Sequence, residues 1–224
     1  MPATTPFVIA AIGALVGLLL QRRLTPLTHR LPDETSLPRP TSWWVVPVTA
    51  IASGLVWWAV SPGRPWLVPA VHVLAVWVMV ALAFIDLDVH RLPDRIQLPA
   101  YPTLVVLLAG SSLATDAWST FGRALIAGVV LFVVYLVLGL MPGGGIGFGD
   151  VKLAGLLGLL LGWHSWAHVW WATLATFLIG GLVAVGLLAL RRKGARDEFA
   201  YGPAMLLGAV GGIVWPAVAT LLGG

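Results

Sequence analysis

Residues 124–163 read ALIAGVVLFVVYLVLGLMPGGGIGFGDVKLAGLLGLLLGW, two apolar runs separated by a glycine-rich break. The uncharged run 124–149 is long enough for the roughly 20 residues that a helix needs to cross a hydrocarbon layer of about 30 Å. The second run, 151–163, would rise only about 20 Å as an α-helix. A helix that begins at Asp150 therefore leaves this aspartate below the membrane surface. Glycine-rich backbone at that depth also indicates a cavity that satisfies its amides.

The rest of the chain is equally apolar. Hydrophobic residues make up 59% and charged residues 10% of the 224 residues, which excludes an ordinary water-soluble globule. The stretch 153–190 is too long for one helix, and Gly162 to Ser165 offers a turn within it. The sequence predicts an all-α, polytopic membrane bundle of about eight transmembrane helices, within the uncharged stretches 1–21, 40–63, 65–85, 96–115, 124–149, 153–190 and 199–224.

The basic residues predict the orientation of this bundle. Arg22 and Arg23 follow the first apolar run, which indicates a retained helix and places the first loop in the cytoplasm. Alternation of eight spans then puts both termini outside, with only Arg64 and Arg123 in outer loops. The inner loops hold the other basic residues: Arg22, Arg23, Arg30, Arg39, Arg91, Arg95, Lys152, Arg191, Arg192, Lys193 and Arg196. We expect an inner-membrane protein whose functional end faces the cytoplasm.

Composition also limits the partners. The chain has no cysteine, which excludes disulfides and thiolate metal sites. Its net charge of +4 comes from basic residues scattered between apolar runs, which is typical of orientation loops and not of a nucleic-acid surface. The lipid bilayer is the expected partner. We divide the chain into an N-terminal two-helix region, 1–65, with a short cytoplasmic loop, and a six-helix core, 66–224.

Two aspartates stand out from this background. Asp86 directly ends the apolar run 77–85, and Asp150 follows the glycine-rich break, so both are predicted at the cytoplasmic membrane boundary. Two carboxylates that share one cavity can hydrolyse a peptide bond as general base and general acid. A helix N-cap is an equally good interpretation of Asp150. A proton-coupled transporter would also bury aspartates beside broken helices.

Three tracts resemble the type IV prepilin peptidase family, which with the related archaeal preflagellin peptidases comprises membrane aspartyl proteases of the GxGD type. Gly147-Phe148-Gly149-Asp150-Val151-Lys152-Leu153 is similar to the GxGD tract with its lysine. Ile85-Asp86-Leu87-Asp88-Val89-His90-Arg91-Leu92-Pro93-Asp94 resembles the other aspartate tract, and Tyr201-Gly202-Pro203 resembles the segment that opens the last helix. The resemblance covers roughly residues 66 to 222.

The resemblance implies an aspartic endopeptidase with Asp86 and Asp150 as catalytic residues, without cofactor or metal. It implies cleavage of prepilins or pseudopilins at the cytoplasmic face, and pilus or secretion assembly machinery as candidate partners. Supporting or substrate-binding roles fall to Gly147, Gly149, Lys152, Asp94, Pro93, Gly202 and Pro203. Fuller members carry paired cysteines in the first loop and methylate the new N-terminus, so methyl transfer is not expected here.

Some alternatives stay open at the sequence level. Asp88 and Asp94 are alternatives to Asp86 as the catalytic residue of this tract. Asp86 is favoured because it directly follows the apolar run. His164 and His168 could share a helix face as metal ligands, but interfacial histidines are the preferred interpretation. Lys152 could stabilise an ionised Asp150 or anchor a loop. A non-catalytic pilus or secretion assembly protein would keep the fold without needing both carboxylates.

Overall fold

The computed structural model describes residues 2–141, 146–189 and 200–223, and these are helical with short connections. The predicted all-α bundle of eight helices is confirmed. A 3₁₀ turn, Pro32–Glu34, lies in the first loop. The helices are α1 Thr5–Leu24, α2 Val45–Val60, α3 Leu67–Val89, α4 Asp94–Thr115, α5 Trp118–Leu140, α6 Phe148–His164, α7 Trp166–Ala189 and α8 Gly202–Leu222.

Six of these described helices are long and apolar enough to cross a membrane. The chain is therefore a multi-pass membrane protein. The other two are shorter, because α2 has 16 residues and α6 has 17. Most residues of α6 from Val151 to Trp163 are buried, so this helix lies inside the bundle with the longer helices around it.

Two predicted helix starts are wrong. Helix α6 begins at Phe148 with Gly147 as its N-cap, so Asp150 lies inside the first turn and does not start the helix. Helix α5 begins at Trp118, so Arg123 lies within the helix and not in a loop before it. A charged Arg123 is tolerated inside this apolar helix because its guanidinium has a partner. Its Nε donates to the carbonyl of Gly162 at 2.8 Å and thereby caps the end of α6.

Small residues bring neighbouring helices close together. A Cβ added at Gly158 of α6 would lie 2.8 Å from the Cα of Gly128 in α5. A Cβ added at Gly212 of α8 would lie 2.6 Å from the Cβ of Ala172 in α7. Contacts this short leave room only for glycine, so both pairs of backbones pack directly against each other.

The end of the bundle opposite the aspartates carries a histidine network. His164 Nε2 lies 2.8 Å from Nε2 of His72, which is fully buried, and Nδ1 of His164 lies 3.4 Å from Arg64. The rings of His164 and His168 stack, with 4.9 Å between centroids. Ser165 separates the two helices there, so these histidines do not share one helix face. The interpretation of His164 as an interfacial residue did not include its hydrogen bond to the buried His72.

Several predictions fall on residues outside the described ranges. They concern the glycines 143–145 and the basic residues 191–193 and 196 of the last inner loop, and they stay predictions. The division of the chain at residue 65 also stays a prediction. Helix α2 packs against α1 and also against α3 and α8, so the N-terminal helices contact the core directly.

Candidate active site

Asp86 lies in the last turn of α3, and its side chain is held by the start of α8. The residue is 4% exposed, and its Oδ2 accepts a hydrogen bond of 2.7 Å from the backbone N–H of Gly202. This N–H is free to bind because the first amides of a helix have no partner within the helix. Pro203 follows in the first turn of α8, where its missing N–H costs nothing. The Tyr201-Gly202-Pro203 tract therefore opens α8 against Asp86.

Asp150 lies in the first turn of α6, at the same end of the bundle as Asp86, because Gly149 packs on Leu92 just after α3. The two carboxyl groups interact electrostatically, although 64 positions separate them in the sequence. The backbone N–H groups of Asp150 and Val151 both donate to the carbonyl of Gly147, which begins the helix. The interpretation of Asp150 as the N-cap of this helix is wrong, because Gly147 occupies that position. Its Oδ1 is buried and has no hydrogen-bond partner among the described residues.

Two tyrosines lie near Asp150: Tyr201 of the third tract, and Tyr135, which the sequence did not single out. Tyr135 of α5 is 2% exposed, and its ring stacks on Phe177 of α7 with 5.6 Å between centroids. The phenol groups of Tyr135 and Tyr201 interact with each other, and both interact with the carboxyl of Asp150. Polar aromatic residues inside otherwise apolar helices are the signal that could have indicated them.

The tract between α3 and α4 packs on the start of α6. A Cβ added at Gly149 would lie 2.9 Å from the Cβ of Leu92, so this glycine allows a close approach. Pro93 is the N-cap of α4. Asp94 begins α4 and accepts a hydrogen bond of 2.5 Å from the ammonium group of Lys152. Lys152 therefore pairs with Asp94, a partner that neither sequence interpretation of this lysine included.

The carboxylate of Asp88 is bound by side chains of the first loop. Its side chain, 1% exposed, accepts hydrogen bonds from Arg30 Nε at 2.9 Å and Arg30 Nη2, and its Oδ2 lies 2.7 Å from His29 Nε2. A carboxylate bound by a guanidinium in this way is neutralised and has few lone pairs left for a reacting water. Asp88 and Asp94 each pair with a cation, Arg30 and Lys152, whereas Asp86 binds a backbone amide.

A second ion pair fastens the same loop. Arg91 donates from Nε to Glu34 Oε1 at 2.7 Å, and also binds the carbonyl of His29. The Arg91 guanidinium lowers the pKa of Glu34 to about 2. His29 and Arg30 of this loop therefore contact the end of α3 through Asp88.

The arrangement has the parts needed for general acid–base chemistry. Asp86 is buried, and Asp150 at the same end of the bundle has a buried Oδ1 that lacks a partner among the described residues. Within the described ranges, no group of three or more His, Asp or Glu side chains is placed to hold a metal ion.

Fold and site together define a helical membrane protein with a buried acidic pair at one end. The chain belongs to the type IV leader peptidase family, whose sequence model matches residues 73–190, including Asp86 and Asp150. The resemblance drawn from the three tracts is thereby confirmed.

Curated relatives agree with this assignment. The chain is 34% identical over 171 residues to the prepilin leader peptidase/N-methyltransferase of Aeromonas salmonicida (strain A449), which covers 75% of this chain and 56% of the relative. A protein of the same description from Pseudomonas putida is 32% identical over 145 residues, 62% of this chain and 47% of the relative. The chain spans about half the length of these relatives. No solved structure matches.

Proposed function

We propose that this protein is an aspartic endopeptidase that removes the leader peptide of prepilins or pseudopilins, with Asp86 and Asp150 as its catalytic residues. One observation carries the proposal. Asp86 of α3 is buried, Asp150 of α6 has a buried Oδ1 atom, and both lie at the same end of the bundle although their helices are far apart in the sequence. Membership of the type IV leader peptidase family supports the reaction class.

Peptide hydrolysis by such a pair balances without a metal or a covalent intermediate. One carboxylate, ionised, takes a proton from a water molecule as the water oxygen bonds to the scissile carbonyl carbon. The other carboxyl, protonated, hydrogen-bonds the carbonyl oxygen and then gives its proton to the leaving nitrogen as the C–N bond breaks. Two carboxyl groups that share one site do not both ionise easily, which suits such a pair to hold one proton.

Family membership suggests the substrate class, and the position of the two aspartates in the chain supports it. The charge pattern supports an inner-membrane orientation with the aspartates at the cytoplasmic boundary. A prepilin has its basic leader in the cytoplasm and its apolar helix in the bilayer, so its cleavage site reaches the same level. Pilus or secretion assembly machinery is the corresponding candidate partner. No observation favours the transporter or a non-catalytic assembly role over this reaction.

The test is cleavage of a purified prepilin in detergent, followed by mass spectrometry. We expect the wild-type protein to cut at the leader junction, in the presence or absence of a chelator. Asp86→Asn and Asp150→Asn should abolish cleavage while the variants keep a cooperative thermal unfolding transition. Asp116→Asn is the matched control, because Asp116 follows α4 at the far end of the bundle in a left-handed conformation that asparagine tolerates. Wild-type cleavage by either active-site variant would refute the assignment.

Methyl transfer is a separate question. The relatives are described as leader peptidase/N-methyltransferases, and this chain matches about half of their length. We propose that it cleaves without methylating, because the paired cysteines of fuller family members are absent from a chain with no cysteine. The same mass spectra test this, since a methylated product is one methyl group heavier when a methyl donor is supplied.

A further inference from the structure

One face of α4 holds the first turn of α6, and three hydrogen bonds join the two helices. Asp94 binds the ammonium group of Lys152, Gln97 binds the carbonyl of Gly149, and the hydroxyl of Tyr101 donates to the carbonyl of Lys152 at 2.6 Å. Positions 94, 97 and 101 are spaced three and four apart, so they lie on one helix face. This face supports the turn that carries Asp150.

Of these three residues of α4, Gln97 binds α6 at the position closest in sequence to Asp150. Its side chain is fully buried, and its Nε2 donates to the Gly149 carbonyl at 2.9 Å. The orientation of the amide is fixed, because a carbonyl only accepts and must face the NH₂ group. That carbonyl belongs to the peptide bond between Gly149 and Asp150. Gln97 therefore restrains the backbone unit from which the Asp150 side chain extends.

The other side of the same peptide is restrained by packing. Leu92 lies so close to Gly149 that a Cβ added to the glycine would be 2.9 Å from the Cβ of Leu92. Gln97 and Leu92 thus fix the Gly149–Asp150 peptide by a hydrogen bond and by steric contact. The amide of Gln97 also leaves its Oε1 buried with no partner among the described residues. An apolar side chain would avoid that desolvation cost, so stability alone does not account for glutamine here.

We propose that Gln97 is a positioning residue that sets the orientation of Asp150 relative to Asp86. Its effect on cleavage rests on the proposed function, whereas its effect on the start of α6 does not. Acid–base catalysis demands close placement of the reacting groups, and a displacement of about 1 Å can cost about 100-fold in rate. Gln97 acts through the Gly149 carbonyl and does not itself exchange protons.

The first test is steady-state cleavage of a prepilin by Gln97→Met, which keeps the side-chain length and removes the amide. We expect kcat to fall by about 10- to 100-fold with KM little changed, since chemistry and not binding is affected. Gln21→Met is the matched control, because Gln21 also donates from Nε2 to a backbone carbonyl, that of Ser42, at 3.2 Å. A raised KM with wild-type kcat would overturn the positioning role.

The second test uses Gln97→Glu and its pH profile. When protonated, the new carboxyl can donate to the Gly149 carbonyl and preserve the contact. When ionised, it can only accept, so it repels that carbonyl and the nearby aspartates. The ratio of variant to wild-type kcat should therefore be near one at the acid end of the profile and fall as pH rises. A loss of equal size at every pH would show a purely structural role.

A third measurement is independent of cleavage. Hydrogen exchange of the amides 151–153 reports opening of the first turn of α6. We expect faster exchange there in Gln97→Met than in the wild type or Gln21→Met. Unchanged exchange in this turn would overturn the inference whether or not the protein cleaves prepilins. If Gln97→Met exchanges faster in this turn but the wild-type protein cleaves no prepilin, the restraint of the α6 start by Gln97 stands and the proposed reaction is rejected.

Discussion

Asp86 and Asp88 are two positions apart on α3, and the structure gives them opposite environments. Residues two apart on a helix point about 200° away from each other, so one faces the bundle interior and the other faces the first loop. Asp88 binds Arg30 and His29, whereas Asp86 binds the Gly202 amide and faces Asp150. The sequence favoured Asp86 only because it directly follows the apolar run. The helical geometry supplies the physical reason.

Gly202 provides a test at the level of a single atom. A Cβ at this position would lie 2.9 Å from Asp86 Oδ2, so Gly202→Ala must displace the carboxylate or the start of α8. We expect the cleavage rate to fall by at least about 10-fold, because the pair loses its alignment. Gly211→Ala is the control within the same helix, since nothing lies within 4 Å of an added Cβ there. Full activity of Gly202→Ala would show that Asp86 tolerates displacement.

At the scale of elements, the first loop is fastened to the end of α3 by two ion pairs. Arg30 binds Asp88, and Arg91 binds Glu34. Because Arg91 lowers the pKa of Glu34 from 4.5 to about 2, their pairing stabilises the fold fully above about pH 4.5. This contribution is lost as pH falls toward 2, where Glu34 becomes protonated also in the folded state. The contribution is small, because the pair is partly solvated.

A spin label on the first loop would measure this loss. Ser36→Cys gives a unique attachment site, since the chain has no other cysteine and Ser36 is exposed. We expect constant label mobility from pH 7 to about 4.5 and rising mobility below that. In a Glu34→Gln background the label should be more mobile at pH 7 and respond less to acid. Equal pH responses in the two backgrounds would contradict the role of the Glu34–Arg91 pair.

The sequence predicted the helices well because uncharged runs in lipid must satisfy their backbone amides internally. It did not predict that α6 begins at Phe148, since glycines and apolar residues on both sides of that point give no boundary signal. It also missed Gln97, Tyr135 and the docking of Arg30 on Asp88. Helices that are apolar on nearly all faces carry no pattern showing which residue faces which neighbour. The aspartates and glycines were predictable from the three tracts alone.

At the scale of the whole molecule, the bundle has two chemically different ends. The aspartates, the first loop and the starts of α4, α6 and α8 lie at one end. Arg64, Arg123 and the network of His72 and His164 lie at the other. The excess of basic residues in loops of the aspartate end predicts that this end faces the cytoplasm.

Cysteine labelling in intact cells checks this orientation. Ser119 at the start of α5 and Ser36 in the first loop are both exposed and lie at opposite ends. A membrane-impermeant maleimide should label Ser119→Cys in spheroplasts, and should label Ser36→Cys only after the membrane is permeabilised. The cysteine-free wild type is the background control. The reverse pattern would place the aspartates outside the cell and contradict the topology.

The claim that Asp86 and Asp150 act as one catalytic unit is tested most directly by the cleavage rates of the two single asparagine variants and of their double variant. Each single substitution should reduce kcat by at least about 100-fold, which is the contribution typical of a general acid or base. The double variant should lose no more than the more damaged single variant, because residues that work as a unit are not additive. A double variant whose loss is the product of two separate losses, or a single variant with the wild-type rate, would contradict the account.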